Sequence, residues 1–256
     1  MMTKASHDAV VARQFGPQAQ SYLTSAVHAQ GADLDQIAGL VGSRPSARLL
    51  DLGCGGGHVG FRLAPQVGTV VAYDLSDQML AVVADEAERR GLANLSTRQG
   101  AAERLPFADA SFDLVISRYS AHHWQDFLAG LKEARRVLGP DGVGIFADVV
   151  SPAPALLDTW LQSLELLRDP SHVRNASVDG WRQTLAEAGF RPGEVSLRKL
   201  RLEFGSWVAR MNTPDSHVQA IRSLQRQAND TVSNYFAIEQ DGSFTIDAMV
   251  LVATVG

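Results

Sequence analysis

An α/β sheet covered by helices on both faces is the fold this sequence predicts, and three observations predict it. Short apolar runs alternate with helical patterns along most of the 256 residues, one run ends in an acid followed by four glycines in five positions, and the next run ends in a second acid. The glycine-rich segment is Leu49-Leu50-Asp51-Leu52-Gly53-Cys54-Gly55-Gly56-Gly57-His58. It reads as a buried strand turning sharply into a loop, where glycine tolerates positive φ and removes the Cβ that would hold a ligand off the backbone.

The elements follow in order. Strands are expected near 47–52, 69–74, 94–98, 113–117 and 143–149, with helices near 57–65, 77–90, 121–128 and 129–138. Gly139-Pro140-Asp141-Gly142 reads as a turn before the fifth strand. Beyond 151 the pattern loosens: Leu156 to Leu167 and Val178 to Ala188 read as amphipathic helices, Glu194 to Glu203 as a sixth strand, 204–234 as helical, and Thr245 to Val255 as a last apolar strand. Arg198-Lys199-Leu200-Arg201, the compact basic run, alternates with Leu197, Leu200 and Leu202 and is read as a strand with a wet face.

Composition narrows the classes. A 45% hydrophobic content suits one elaborated α/β domain, and a net charge of −5 argues against a nucleic-acid footprint, which needs clustered Lys and Arg. The single cysteine, Cys54, excludes internal disulfides and a cysteine-based zinc cluster and fits a reducing compartment. No 18-residue apolar segment or secretory signal is evident, so the cytoplasm is expected and a membrane partner is not.

Two nucleotide motifs fail on the glycine loop. G-x-G-x-x-G would need glycine at position 58, which is His58, and a phosphate-binding loop would need a following lysine. What remains is acid-x-Gly-x-Gly-x-Gly at Asp51, Gly53, Gly55 and Gly57. Asp74 lies 23 residues after Asp51, close to the roughly 20-residue gap expected of a ribose-binding acid. Ser76 and Asp77 can cap the next helix, which frees Asp74 for that role.

With Asp74-Leu75-Ser76-Asp77-Gln78-Met79-Leu80, Gln99-Gly100-Ala101-Ala102-Glu103-Arg104-Leu105-Pro106-Phe107 and Asp109-Ala110-Ser111-Phe112-Asp113-Leu114-Val115-Ile116-Ser117, the glycine segment resembles class I S-adenosylmethionine-dependent methyltransferases. The likeness is strongest over 48–148, toward the ubiquinone and menaquinone C-methyltransferase branch. Leu167 to Asn175 and Phe204 to Pro214 are similar to a subgroup of small bacterial methyltransferases.

The resemblance implies a Rossmann-like seven-stranded sheet, mostly parallel with an antiparallel last strand. It implies a single domain with an N-terminal helical lid (1–45), a cofactor-binding core (46–150) and a part carrying substrate-cover helices and the last two strands (151–256). It implies S-adenosyl-L-methionine as cofactor, S-adenosyl-L-homocysteine as product, and no required metal. Cofactor contacts are expected from Asp51, Gly53, Gly55, Gly57, Asp74, Leu75, Met79, Ala101, Ala102, Glu103 and Ser117. The branch commonly has an acid where this chain has Ala101, so adenine recognition falls either to backbone near Ala101 and Ala102 or to Glu103.

Arg118-Tyr119-Ser120-Ala121-His122-His123-Trp124 follows the fourth strand without the proline motif of nucleic-acid amino-methyltransferases. His123, and after it His122, are candidate general bases; the alternative is that the pair only lines the pocket and caps the next helix. Tyr22, His28 and Tyr119 are candidate lid or substrate residues. Trp160, Trp181 and Trp207 are core or cover residues, and Arg168, Arg174 and Arg210 either bind a substrate carboxylate or solvate helices. The expected function is methyl transfer to oxygen, carbon or nitrogen of a small-molecule acceptor. A carboxyl methyltransferase acting on an acyl-carrier-protein-bound substrate and a non-catalytic S-adenosylmethionine-binding module are the alternatives, and the oligomeric state is open between monomer and homodimer.

Overall fold

The computed structural model describes residues 6–19, 23 and 31–256. Helix α1 (His7–Phe15) and helix α2 (Ala32–Val41) precede strand β1 (Arg44–Leu52), and α3 (His58–Leu63) leads to β2 (Val67–Asp74). Next come α4 (Asp77–Arg89), β3 (Leu95–Gln99), β4 (Phe112–Arg118), α5 (Phe127–Val137) and β5 (Leu138–Val150). Helices α6 (Ala155–Arg168) and α7 (Val178–Glu187) precede β6 (Phe190–Leu202), and α8 (Phe204–Arg210), α9 (Asp215–Arg226) and α10 (Asp230–Tyr235) separate it from β7 (Phe244–Val255).

The strands form one seven-stranded sheet in the order β3-β2-β1-β4-β5-β7-β6, and β7 runs antiparallel to both β5 and β6. Consecutive residues Leu49 and Leu50 of β1 are both fully buried, because each face of the sheet is covered. Leu49, Leu114 and Ile116 pack with Leu34 and Ile37 of α2 and Val59 and Leu63 of α3. Leu50, Val115 and Phe146 pack on the other face with Leu131 of α5 and Trp181 and Leu185 of α7. A separate cluster joins α6, α8, α9 and α10 around Trp160, Trp207, Phe236 and Phe244, with the Trp160 and Phe236 rings stacked at 4.4 Å. Trp181 thus belongs to the sheet core, whereas Trp160 of α6 and Trp207 of α8 belong to the separate helical cluster.

Three expectations are corrected. The two helices expected over 121–128 and 129–138 are a short 3-10 turn, Ala121–His123, and the single helix α5, because Asp126 caps α5 by accepting the Ala129 N–H at 2.9 Å. The Gly139–Gly142 turn lies inside β5: Phe112 pairs with Leu138 and Leu114 with Val143, so these four residues are looped out of the ladder. Arg198 is not on the wet face of β6. It shares the period-two face of Leu200 and Leu202, with its side chain 22% exposed, while Leu197 is 60% exposed alongside Lys199 and Arg201.

Among the described residues, no helix is long and apolar enough to cross a membrane. Strand order reverses between β1 and β4, so the carboxyl ends of these strands open a crevice at the switch point.

Gly57, with φ at +77°, starts α3, and a Cβ there would stand 2.9 Å from Phe61 and 3.0 Å from Val83. Gly57→Ala is therefore expected to lower stability by about 1–3 kcal/mol. Gly39, inside α2 with open space around it, is the contrast: Gly39→Ala should raise stability by about 0.5–1 kcal/mol. Urea unfolding of both variants checks the pair.

Candidate functional site

The glycine loop is held from both sides. Asp51, at the end of β1, is 1% exposed and accepts the Gly60 N–H at 2.9 Å, which ties the strand to α3. Burial pushes its carboxyl up to about 7; the Gly60 hydrogen bond opposes this, and nearby Asp74 adds to it. Gly53 and Cys54 both donate their N–H groups to the Tyr73 carbonyl, at 2.8 and 3.0 Å, folding the loop onto the end of β2. Gly53 and Gly55 take φ of +71° and +49°, and a Cβ on Gly55 would meet nothing within 4 Å. That open position faces a cleft of about 1020 Å³, its mouth included.

Asp74 closes the same loop. Its carboxylate accepts the Gly55 N–H at 2.8 Å and the Ser76 N–H at 2.9 Å, while burial raises its pKa against those bonds. Leu75 and Met79 continue this wall, and Ala101, Ala102 and Glu103 after β3 form the next. The Tyr73 hydroxyl donates to the Ala101 carbonyl at 3.2 Å. Glu103 accepts the Gln125 N–H at 2.8 Å and the Asp126 N–H at 3.3 Å, so it is engaged in joining the β3 and β4 loops. Helix α1 lies over the cleft through His7, Asp8, Val11 and Phe15, and His7 Nε2 is 3.0 Å from the His123 carbonyl oxygen.

Of the residues singled out in the sequence, Gly57 and Ser117 stand outside the cleft wall. Gly57 packs under α3, and Ser117 is 2% exposed within β4. Tyr22 and His28 lie outside the described residues.

A second cavity of about 1090 Å³ adjoins the first and shares Phe15, Tyr119 and His123 with it. The two histidines differ here. His122 lines the second cavity and not the first, and its Nδ1 donates to Asp148 at 2.6 Å. Burial disfavours a charged His122, but the Asp148 carboxylate, with Glu165 and Asp169 beyond it, holds its pKa above the ordinary value. His123 faces both cavities, donates from Nδ1 to the Ser171 carbonyl at 3.0 Å, and is brought down to about 4 by burial and by neighbouring His122. His172, its ring 5.8 Å from His122, is brought down to about 2 by burial and by the other two. Within this cluster His122 is therefore the group that takes up a proton most readily. The sequence ranked His123 first as a candidate base; the carboxylate partner stands beside His122.

The sequence reading did not place Asp148, Asp33 or Arg198 in the site. Asp148 carried a usable signal, an acid at the carboxyl end of an expected strand, where α/β sheets set ligands. Asp33 and Arg198 carried none: they meet through the tertiary fold, Arg198 Nη2 standing 3.4 Å from Asp33 Oδ2 although β6 and α2 are far apart in the chain. Arg168 and Arg210 also line the second cavity, whereas Arg174 pairs with Asp158 outside it.

Residues 50–146 match a family model described as a methyltransferase domain. The uncharacterized methyltransferase YcgJ of Bacillus subtilis is 32% identical over 93% of this chain and 96% of its own length. The chain belongs to this methyltransferase family. The YcgJ crystal structure superposes with a TM-score of 0.84 at 31% identity, covering 87% of this chain and 97% of that one. The uncharacterized protein YafE of Escherichia coli is 52% identical over 76% of this chain and 94% of its own, and a ubiquinone/menaquinone biosynthesis C-methyltransferase of Shewanella is 28% identical over 64% and 68%. The methyltransferase uses S-adenosyl-L-methionine as its methyl donor, and its sheet is the Rossmann-like one of that family. Among the described residues there is no group of three or more His, Cys, Asp or Glu able to hold a metal ion.

The Asp51 environment has a pH signature in the donor-free protein. Its folded pKa is raised above 3.8, so its contribution is full below about pH 4 and is lost as pH rises toward 7. Wild type should therefore lose about 3 kcal/mol relative to Asp51→Asn between pH 4 and 7. Equal pH slopes for the two proteins in chemical denaturation would show that Asp51 is not held protonated.

Proposed function

We propose that this methyltransferase acts on a small-molecule acceptor held in the second cavity, with the donor along the glycine loop. The observation that carries this reading is the shared wall of the two cavities at Phe15, Tyr119 and His123, which lets two bound molecules meet there.

The residues of the first cleft fit the donor. Gly55 leaves open the space a side chain would fill, and the Asp74 carboxylate, with one N–H on each oxygen, retains lone pairs for two ribose hydroxyls. Because Glu103 is engaged by Gln125 and Asp126, backbone groups at Ala101 and Ala102 are the better reading for adenine recognition. Leu75 and Met79 supply apolar contact. S-adenosylmethionine supplies a methyl group already activated by its sulfonium.

What this chain adds is positioning, for which roughly 7–11 kcal/mol is available, and removal of the acceptor's proton. His122 is the candidate base. Asp148 fixes Nδ1 as the donor, which leaves Nε2 to take a proton inside the cavity. The acceptor would exchange the proton taken by His122 for the methyl released as the sulfonium S–CH3 bond breaks, so the positive charge lost at sulfur would reappear on His122. His123, kept neutral, acts as wall rather than base.

A net charge of −5 weighs against the basic docking patch that a carrier-protein substrate needs, and against nucleic acid. The His122–Asp148 pair weighs against a non-catalytic module. The Shewanella relative's name points to a small acceptor for that protein and supports the same class here. The reading also takes the chain as one cytoplasmic domain, with 1–45 as lid and 151–256 carrying the acceptor cover.

Calorimetry should detect S-adenosylmethionine and S-adenosylhomocysteine binding, and Asp74→Ala should weaken both by about 1–3 kcal/mol. Unchanged affinity would remove Asp74 from the site. With an acceptor found by screening, His122→Ala should lower kcat about 10²–10⁴-fold. Activity should rise with pH through the His122 pKa, and Asp148→Asn should move that limb to lower pH. A limb that moves with His123→Gln and not with Asp148→Asn would reassign the base.

A further inference from the structure

Tyr119 sits where the two cavities meet, in a conformation that needs explanation. Its φ is +53°, a region that costs a bulky side chain of order 1–3 kcal/mol, and such strain persists only where the surroundings impose it. Here they do. The Tyr119 N–H donates to the Ala147 carbonyl at 2.8 Å, extending the β4–β5 ladder by one residue. The Arg118 guanidinium lies over its ring at 5.0 Å, and Arg198 Nη2 donates to its hydroxyl oxygen at 3.1 Å.

Arg198 is the inward residue of an otherwise solvated basic run. Its Nη2 is the group that meets Tyr119 and Asp33; Nε and Nη1 make no hydrogen bond among the described residues, although the side chain is only 22% exposed and borders the second cavity. The Tyr119 hydroxyl accepts from Arg198, so its own hydrogen is free to be donated, and it has no acceptor among the described residues. Donors from two side chains therefore converge on one corner of the cavity.

The charges there are uneven. Asp33, 4% exposed in its side chain, serves both Arg118 and Arg198. The other carboxylates of the cavity have partners of their own: Glu165 lies 3.4 Å from Arg168 Nη1, and Asp169 accepts the Ser171 N–H at 2.8 Å and its hydroxyl at 2.6 Å. A guanidinium held largely out of water beside half a carboxylate is short of negative charge, and its planar donor fork matches a carboxylate.

We propose that Arg198 and Tyr119 form an oxyanion subsite, and that the methyl acceptor is a small organic acid whose carboxylate docks there. This rests on the reading of the second cavity as the acceptor site. The carboxylate would anchor the molecule at the junction and present its nucleophilic atom to the donor. Arg198 and Tyr119 are thus specificity-determining residues, separate from the proton-accepting His122.

The test uses the full-length protein saturated with S-adenosylhomocysteine and three matched acid and amide pairs of rising size: acetate with acetamide, benzoate with benzamide, and indole-3-acetate with indole-3-acetamide. Calorimetry should give at least one acid that binds about tenfold or more tighter than its amide. Arg198→Gln should abolish that preference, Arg198→Lys should retain part of it, and Tyr119→Phe should reduce it about threefold. S-adenosylhomocysteine affinity and the melting temperature serve as folding controls, and Arg198→Lys stands in if Arg198→Gln does not fold. Acids and amides binding alike, no acid binding at all, or an acid preference that survives Arg198→Gln would each overturn the proposal. All three outcomes leave the methyltransferase reading standing, since only loss of S-adenosylhomocysteine binding bears on that.

Discussion

The carboxyl edge of this sheet depends on one buried carboxylate. Asp51 lies at the end of a fully covered strand, and its bond to the Gly60 N–H fixes where α3 starts relative to β1. Between those two points the chain must reverse in a few residues, which it does through three glycines at positive φ. The Tyr73 carbonyl receives two N–H groups of that loop and Asp74 a third, so β2 templates the turn that β1 initiates. A side chain at Gly53 would collide with Ser120, so the same loop also seats the segment after β4. The segments after β1, β2 and β4 thus become one rigid rim, and rigidity at the rim is what positional catalysis requires.

The second cavity, the proposed acceptor site, is built on different terms. Where the glycine loop relies on backbone hydrogen bonds, the second cavity relies on charged side chains brought from α2, α6, β6 and α8. The His123 and His172 rings lie 4.2 and 5.8 Å from that of His122, and among the described residues only His122 has a carboxylate at hydrogen-bond distance. Burial and mutual repulsion then keep the other two neutral, so the cluster concentrates one titration on one residue. The second cavity borders the aromatic cluster of α6 and α8–α10 through Leu202, Trp207 and Ile246.

Much of the fold was legible because its signals are local. Alternating apolar runs, capping residues such as Ser76, and glycines at a strand end each act within a few positions, and they gave the seven strands and the acids at the ends of β1 and β2. Errors arose where a local signal had two readings. Gly139–Gly142 does turn the chain, but as a loop inside a strand's pairing, and Leu197 looked like part of an apolar face although it stands on the opposite side from Leu200.

The sequence by itself determined the donor: motif spacing around Asp51, Gly55 and Asp74 is set by the geometry of a single strand–loop–helix unit and survives without tertiary information. Only the tertiary structure decided which histidine has a carboxylate beside it and which arginine turns inward. Those properties come from Asp148 beside His122, and from Asp33 shared by Arg118 and Arg198, partners 26, 85 and 165 residues apart in the chain. Electrostatics inside a cavity depends on distance in space and on burial, and neither is written in the order of residues.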